Sequence, residues 1–171
     1  MNFRSILLSL STICLVLFSC SDNEDSFQEI DQLMSFYIQD ANGKNLLIPN
    51  KIGSFTTVAM NDMLAPIDNA PVPNSVKTVS DSLQYIEYIA GATRQLESGG
   101  ESENRIYRSQ IRVDLIKKLT DSTFADVDND TLQIFYRWTP AVFEVSKVLY
   151  NNSELPLTKD SENRNVVRII K

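Results

Sequence analysis

Tyr107-Arg108-Ser109-Gln110-Ile111-Arg112-Val113-Asp114-Leu115 and Thr131-Leu132-Gln133-Ile134-Phe135-Tyr136-Arg137-Trp138 decide the fold class. In the first stretch Tyr107, Ile111, Val113 and Leu115 alternate with Arg108, Gln110, Arg112 and Asp114. In the second, Leu132, Ile134, Tyr136 and Trp138 oppose Gln133, Phe135 and Arg137. Successive side chains of a strand point to opposite faces, so a period of two predicts half-buried antiparallel strands.

The same period extends outward. Upstream, Leu33 to Gln39 places Met34, Phe36 and Ile38 on one face, and Asn42-Gly43 predicts a hairpin turn into Leu46-Leu47-Ile48. Ser54 to Met60 reads as a third strand. Residues 61–75, with Pro66, Pro71 and Pro73, read as an irregular connection. Val76 to Ala90 reads as extended and bent at Ser80-Asp81, with Leu83, Tyr85 and Ile89 facing away from Gln84, Ile86 and Tyr88. Gly91 to Asn104 includes Ser98 to Asn104, the most loop-like run. Downstream, Pro140 breaks the chain before Ala141 to Tyr150, Asn151-Asn152 is a turn, Glu154 to Leu157 is a short return strand, and Val166 to Ile170 is the last strand. Eight or nine strands without a long helical pattern predict a single antiparallel β-sandwich, immunoglobulin-like or related.

The first 25 residues carry a different signal. Arg4 precedes a 13-residue apolar run from Ile6 to Phe18, too short for the ~20 residues that span a bilayer and suited to a signal-peptide core. The run ends in Leu17-Phe18-Ser19-Cys20, which resembles the bacterial lipobox. That resemblance implies cleavage before Cys20 and transfer of a diacylglycerol to its thiol, with Cys20 as the lipidation site. The following Ser21-Asp22-Asn23-Glu24-Asp25 resembles the acidic export signal of Bacteroidetes surface lipoproteins, which implies display on the outer membrane. Residues 1–19 therefore read as a lipoprotein signal peptide, 20–32 as acylated cysteine and acidic tether, and 33–171 as the β-domain. Asp40 to Leu47, Asp128 to Leu132 and Lys147 to Leu155 are similar to small uncharacterised Bacteroidetes lipoproteins, a likeness that implies location and fold but no activity.

Removing the first 19 of 171 residues leaves 152, enough for one domain that buries roughly 70% of its unfolded surface. Arg4 leaves with that leader, so the net charge moves from −6 to −7. An acidic balance argues against nucleic acid as a partner. Cys14 also leaves, Cys20 is committed to lipid, and the sequence has no histidine. Ser-His-Asp and Cys-His catalysis and zinc sites built on His or Cys are excluded. No cofactor is expected.

Four patterns remain as candidate sites. Asp126, Asp128 and Asp130 alternate as at the start of a calcium loop, but Thr131 replaces its glycine and Arg137 its glutamate, so an acidic turn is the preferred reading. Tyr85, Tyr88, Tyr107, Tyr136, Trp138 and Tyr150 could include a sugar-stacking platform, although strand aromatics ordinarily form core or cross-strand pairs. Trp138, at a strand end beside Thr139-Pro140, is the exception singled out. Ser82, Ser122 and Thr131 each follow an aspartate in a pattern resembling the O-glycosylation motif of exported Bacteroidetes proteins. Among catalytic schemes only a carboxylate pair survives, and no spacing selects one. The sequence thus predicts a non-catalytic binding, adhesion or structural module with a glycan or protein ligand. Its alternative is a carboxylate-dependent glycan-processing enzyme or a glycan-binding accessory protein.

Overall fold

The computed structural model describes residues 27–171, so the signal peptide, Cys20 and the export signal lie outside the described residues. The described chain is all β, with no helix. Its strands are β1 (Glu29–Asp31), β2 (Met34–Gln39), β3 (Phe55–Asp62), β4 (Ala70–Pro71), β5 (Ser75–Ser80), β6 (Leu83–Tyr88), β7 (Gln95–Ser98), β8 (Arg105–Lys117), β9 (Asp128–Trp138), β10 (Val142–Tyr150), β11 (Ser153–Leu155), β12 (Thr158–Lys159) and β13 (Asn165–Ile170). Thirteen strands replace the eight or nine expected. Most of the excess lies in pieces of two to four residues (β1, β4, β7 and β12), too short for periodicity to reveal; β11 is the short return strand expected after Asn151-Asn152.

Two sheets form. The larger has the order β1-β10-β9-β8-β3-β4, with β11 on β10 and β7 on β8; the smaller has the order β12-β13-β2-β6-β5. The purely antiparallel expectation is corrected, since β1 runs parallel to β10 and β13 parallel to β2. Both parallel partners of the chain's beginning come from its last third, a long-range pairing that local pattern does not reveal. The strand β1 also lies inside the stretch read as tether.

One apolar core draws on both sheets. Met34, Phe36, Ile38, Ile86, Tyr88, Val167 and Ile169 come from the smaller sheet, and Ile111, Val113, Leu115, Leu132, Ile134, Tyr136 and Val148 from the larger. Gln84, Ile86 and Tyr88 point to this core, so β6 turns the face opposite to Tyr85 inward. The bend at Asp81-Ser82 is a full reversal between β5 and β6. Leu46-Leu47-Ile48 forms no strand. A single bridge joins Asn45 to Gln39, and Leu46 ties the sheets by donating to Ile38 and accepting from Phe55. Asn151 and Asn152 take φ of 48° and 65° in the tight β10–β11 turn, a conformation asparagine tolerates where glycine would be usual.

The sheets differ in length. Strand β8 has 13 residues and spans roughly 40 Å, whereas the six residues of β2 or β13 span roughly 20 Å. Along the inward face of β8, Leu115, Val113, Ile111 and Ser109 are buried, but Tyr107 and Arg105 are only half-buried. The inward face of the larger sheet therefore continues past its cover at the Arg105 end.

Candidate functional site

That uncovered end forms a groove of about 340 Å³, lined by Gln28, Ile30, Gln32, Arg94, Tyr107, Trp138 and Phe143. Register explains the set. Arg105 lies opposite Trp138 and Tyr107 opposite Tyr136, while Trp138 pairs with Phe143 and Phe143 with Ile30. Four strands thus deliver their inward-facing residues to one place. Gln28, Ile30 and Gln32 alternate with Glu29 and Asp31, so β1 turns amides and an isoleucine to the groove and its acids away. Asp31 accordingly pairs with Lys159 and accepts from Asn165.

Aromatic packing supports the groove from behind. The core residue Tyr136 stacks on Phe143 with centroids 5.3 Å apart and planes 10° from parallel. The Arg94 guanidinium carbon lies 4.8 Å from both centroids, and Arg105 lies 4.6 Å from the Trp138 ring. Each such contact is worth about 0.5–1 kcal/mol at exposed sites. Arg94 also donates to Gln32 Oε1 at 2.5 Å, and Gln28 Nε2 donates to the Thr139 carbonyl at 2.6 Å. These bonds fasten the β1 segment to the groove.

Arg94 is placed by the segment that crosses between the sheets. Gly91 has φ of 126°, and a Cβ there would meet Pro73 Cδ at 2.8 Å. Ser109 Oγ donates to the Thr93 carbonyl at 2.8 Å, and the Thr93 amide donates to Asp62 at 2.6 Å. Asp62 is buried. Burial alone would raise its pKa, but hydrogen bonds from Thr93 and Leu64 outweigh it and hold the carboxyl below its ordinary value. Arg105 is placed by the β7–β8 turn: its Nε donates to Ser102 O at 2.9 Å, and a Cβ on Gly99 would strike Asn104 O at 2.3 Å.

The six aromatics singled out by sequence do not form one platform. Tyr107 and Trp138 share the groove, Tyr88 and Tyr136 are core, and Tyr150 binds Asp130. Tyr85 lies on the other face of the smaller sheet, 5.4 Å from Tyr37, with Arg164 donating to its hydroxyl at 3.0 Å. Arg94, Phe143, Gln28, Ile30 and Gln32 were not anticipated. The alternation of Gln28, Ile30 and Gln32 was the one sequence signal available for the β1 wall.

The aspartate triplet behaves differently. Asp130 occupies an inward position, opposite Val113, and is buried. It accepts from Tyr150 Oη at 2.5 Å and Asn151 Nδ2 at 2.6 Å, and pairs with Lys171. Burial would raise its pKa, but the hydrogen bonds from Lys171, Tyr150 and Asn151 and the Lys171 charge lower it overall. Burial and the Asp130 carboxylate push the Tyr150 phenol up. Asp128 pairs with the same ammonium at 2.7 Å, while Asp126 makes none of these contacts. Lys171 thus supplies the positive charge a cation would have brought. Among the described residues no group of three or more acidic, Cys or His side chains is gathered to hold a metal.

Ser82 and Ser122 are exposed in turns, whereas Thr131 is half-buried within β9, its amide bound to Asn151 Oδ1 at 2.8 Å. The two serines are therefore the accessible members of the modification motif. No protein-family model, curated protein or solved structure matches this chain.

Proposed function

We propose that the protein is a lipid-anchored, non-catalytic binding module of the outer membrane, displayed at the cell surface, whose Trp138 groove takes a saccharide. The observation that carries this reading is the groove itself: the half-exposed rings of Trp138 and Tyr107 flanked by amide and guanidinium groups. Sugar rings present apolar C–H faces that stack on aromatics and hydroxyls that need both donors and acceptors. Trp138 and Tyr107 offer the first, and Gln28, Gln32 and Arg94 the second.

The two sheets sharing one core are read as a β-sandwich, with the groove at the end where the longer sheet overhangs. The lipobox at Leu17 to Cys20 and the acidic run Ser21 to Asp25 support anchoring and surface display, in keeping with the likeness to small Bacteroidetes lipoproteins. Such a protein meets its ligand outside the cell. The β1 wall begins two residues into the described chain, so tether and groove would be neighbours.

The carboxylate-dependent enzyme is the weaker alternative. None of the groove-lining residues is an acid. The buried carboxylates Asp62 and Asp130 are occupied by Thr93 and Leu64 and by Lys171, Tyr150 and Asn151, and both are held toward the ionised form, not the protonated form that a general acid requires.

A glycan array probed with residues 21–171 tests the binding reading. Binding that disappears in Trp138→Ala is the expected result; binding that survives in this variant moves the site elsewhere. Anchoring is tested separately, since Cys20→Ser should release the protein from membranes and retention would contradict the lipid anchor.

A further inference from the structure

We infer that the saccharide taken by the Trp138 groove is acidic, its carboxylate recognised by Arg94 with Arg105 reinforcing the positive field; this rests on the saccharide reading above. The observation is a selective absence of pairing. The described chain contains seven arginines. Arg108 pairs with Glu97, Arg112 with Asp114, Arg137 with Glu144, and Arg164 with Asp160 and Glu162. Arg94, which lines the groove, and Arg105, which stacks on its Trp138, have no carboxylate partner among the described residues, although the sequence carries 22 acids against 16 bases. Arg168, the third such arginine, lies against Tyr37 on the smaller sheet.

The acids nearest in sequence are turned to other work. Asp31 pairs with Lys159, and Glu29 alternates away from the groove with it. Glu97 is held by Arg108. Glu101 and Glu103, in the turn before Arg105, form no ion pair with it. The groove is therefore a cationic spot in an acidic protein, with aromatic surface beneath it.

Each guanidinium also keeps donors to spare. A guanidinium has five N–H groups. Arg94 gives one to Gln32, and Arg105 gives its Nε–H to Ser102. The remaining terminal N–H groups match the planar, two-oxygen geometry of a carboxylate, the strongest kind of hydrogen bond available to an uncovered side chain. Packing against Phe143 and Trp138 pre-orients both groups, so little rotamer freedom is lost on binding. A neutral sugar would use the aromatic rings and leave these donors to water. A uronic acid would use both.

The test compares a trimer of galacturonic acid with its methyl ester, which has the same rings and no charge. Trp138 is the only tryptophan in the chain, so its emission reports groove occupancy directly. The acid should bind at least tenfold more tightly than the ester, and raising salt from 50 to 500 mM should erode that ratio. Arg94→Gln should collapse the ratio toward one, with Arg94→Lys recovering part of it. Equal affinity of acid and ester for the wild-type protein would overturn the charge inference and leave the saccharide reading standing. Silence toward both, together with a blank glycan array, would overturn the saccharide reading itself. Oligoglutamate binding as tightly as the triuronate would replace the saccharide with an acidic peptide.

Discussion

The two ends of the large sheet solve the same problem in opposite ways. Both β8 and β9 run past the smaller sheet, and both ends bring polar side chains onto an inward face. At the Leu115 end the polar group is Asp130, and everything it needs is built in: Tyr150, Asn151 and Lys171 converge on it and close the structure. At the Arg105 end the polar groups are Arg94 and Arg105, and among the described residues no carboxylate pairs with them. One end is finished internally and contributes stability. The other is left open and contributes a surface. Aromatic residues stand at both, so it is the pairing of charge that separates the closed end from the open one.

The largest expected effect belongs to the closed end. Asp130→Ala should lower stability by about 2–3 kcal/mol, because a charge-assisted network loses its acceptor while Tyr150 stays buried. For a domain of this size that corresponds to roughly 6–10 °C in thermal midpoint. Ligand binding should persist in the surviving folded protein. A smaller loss at Asp130 than at Trp138 would erase the contrast between the ends.

Acid should next weaken Asp130 at the closed end and Asp62 beneath the Arg94 segment. Asp130 and Asp62 both have folded-state pKa values below their unfolded ones. The unfolded chain therefore binds more protons as pH falls, so their stabilisation is present above about pH 4 and is lost as pH drops through the folded values. The midpoint measured from pH 6 to pH 2 should decline, and Asp130→Asn should flatten part of that decline. An unchanged slope in this variant would remove Asp130 from the account.

At the open end the order of effects reverses. Trp138→Ala should cost about 2 kcal/mol, less than a fully buried tryptophan, yet abolish saccharide binding. A protein beginning at Leu33, lacking β1, should lose still less stability, because only three paired residues leave the sheet, the exposed Ile30 among them, together with the Asp31 contacts to Lys159 and Asn165. Its binding should weaken severalfold, since one groove wall is gone. Full affinity without β1 would return residues 28–32 to the tether.

The smallest expected effect is none. Calcium or a chelator should leave the thermal midpoint unchanged, because the Lys171 ammonium already sits between Asp128 and Asp130. A rise with calcium would mean that the ion displaces the lysine.

What was legible in the sequence follows the same division. β8, β9, β10, β2 and β13 were readable because each buries one face and shows it as alternation over five or more residues. β1 was not. Glu29-Ile30-Asp31 is short and acidic, and its pairing is decided by the free edge of β10 more than a hundred residues away. Trp138 could be singled out because a large aromatic before Thr139-Pro140 sits where a strand must stop. Arg94 could not, because its position depends on the Gly91–Thr93 crossover and the Asp62 carboxylate that fixes it. The outward packing of Tyr85 was hidden for a related reason: Tyr37 and Arg164 cover it, so it is buried on the outer face of β6 between the half-buried Leu83 and Glu87.

The most direct test of the central claim, that the uncovered end of the large sheet is the binding site, is a titration of the wild-type protein with trigalacturonic acid followed by Trp138 emission and, in parallel, by calorimetry. One saturable transition with the same dissociation constant in both is expected. Calorimetric binding with no change at Trp138 would contradict it.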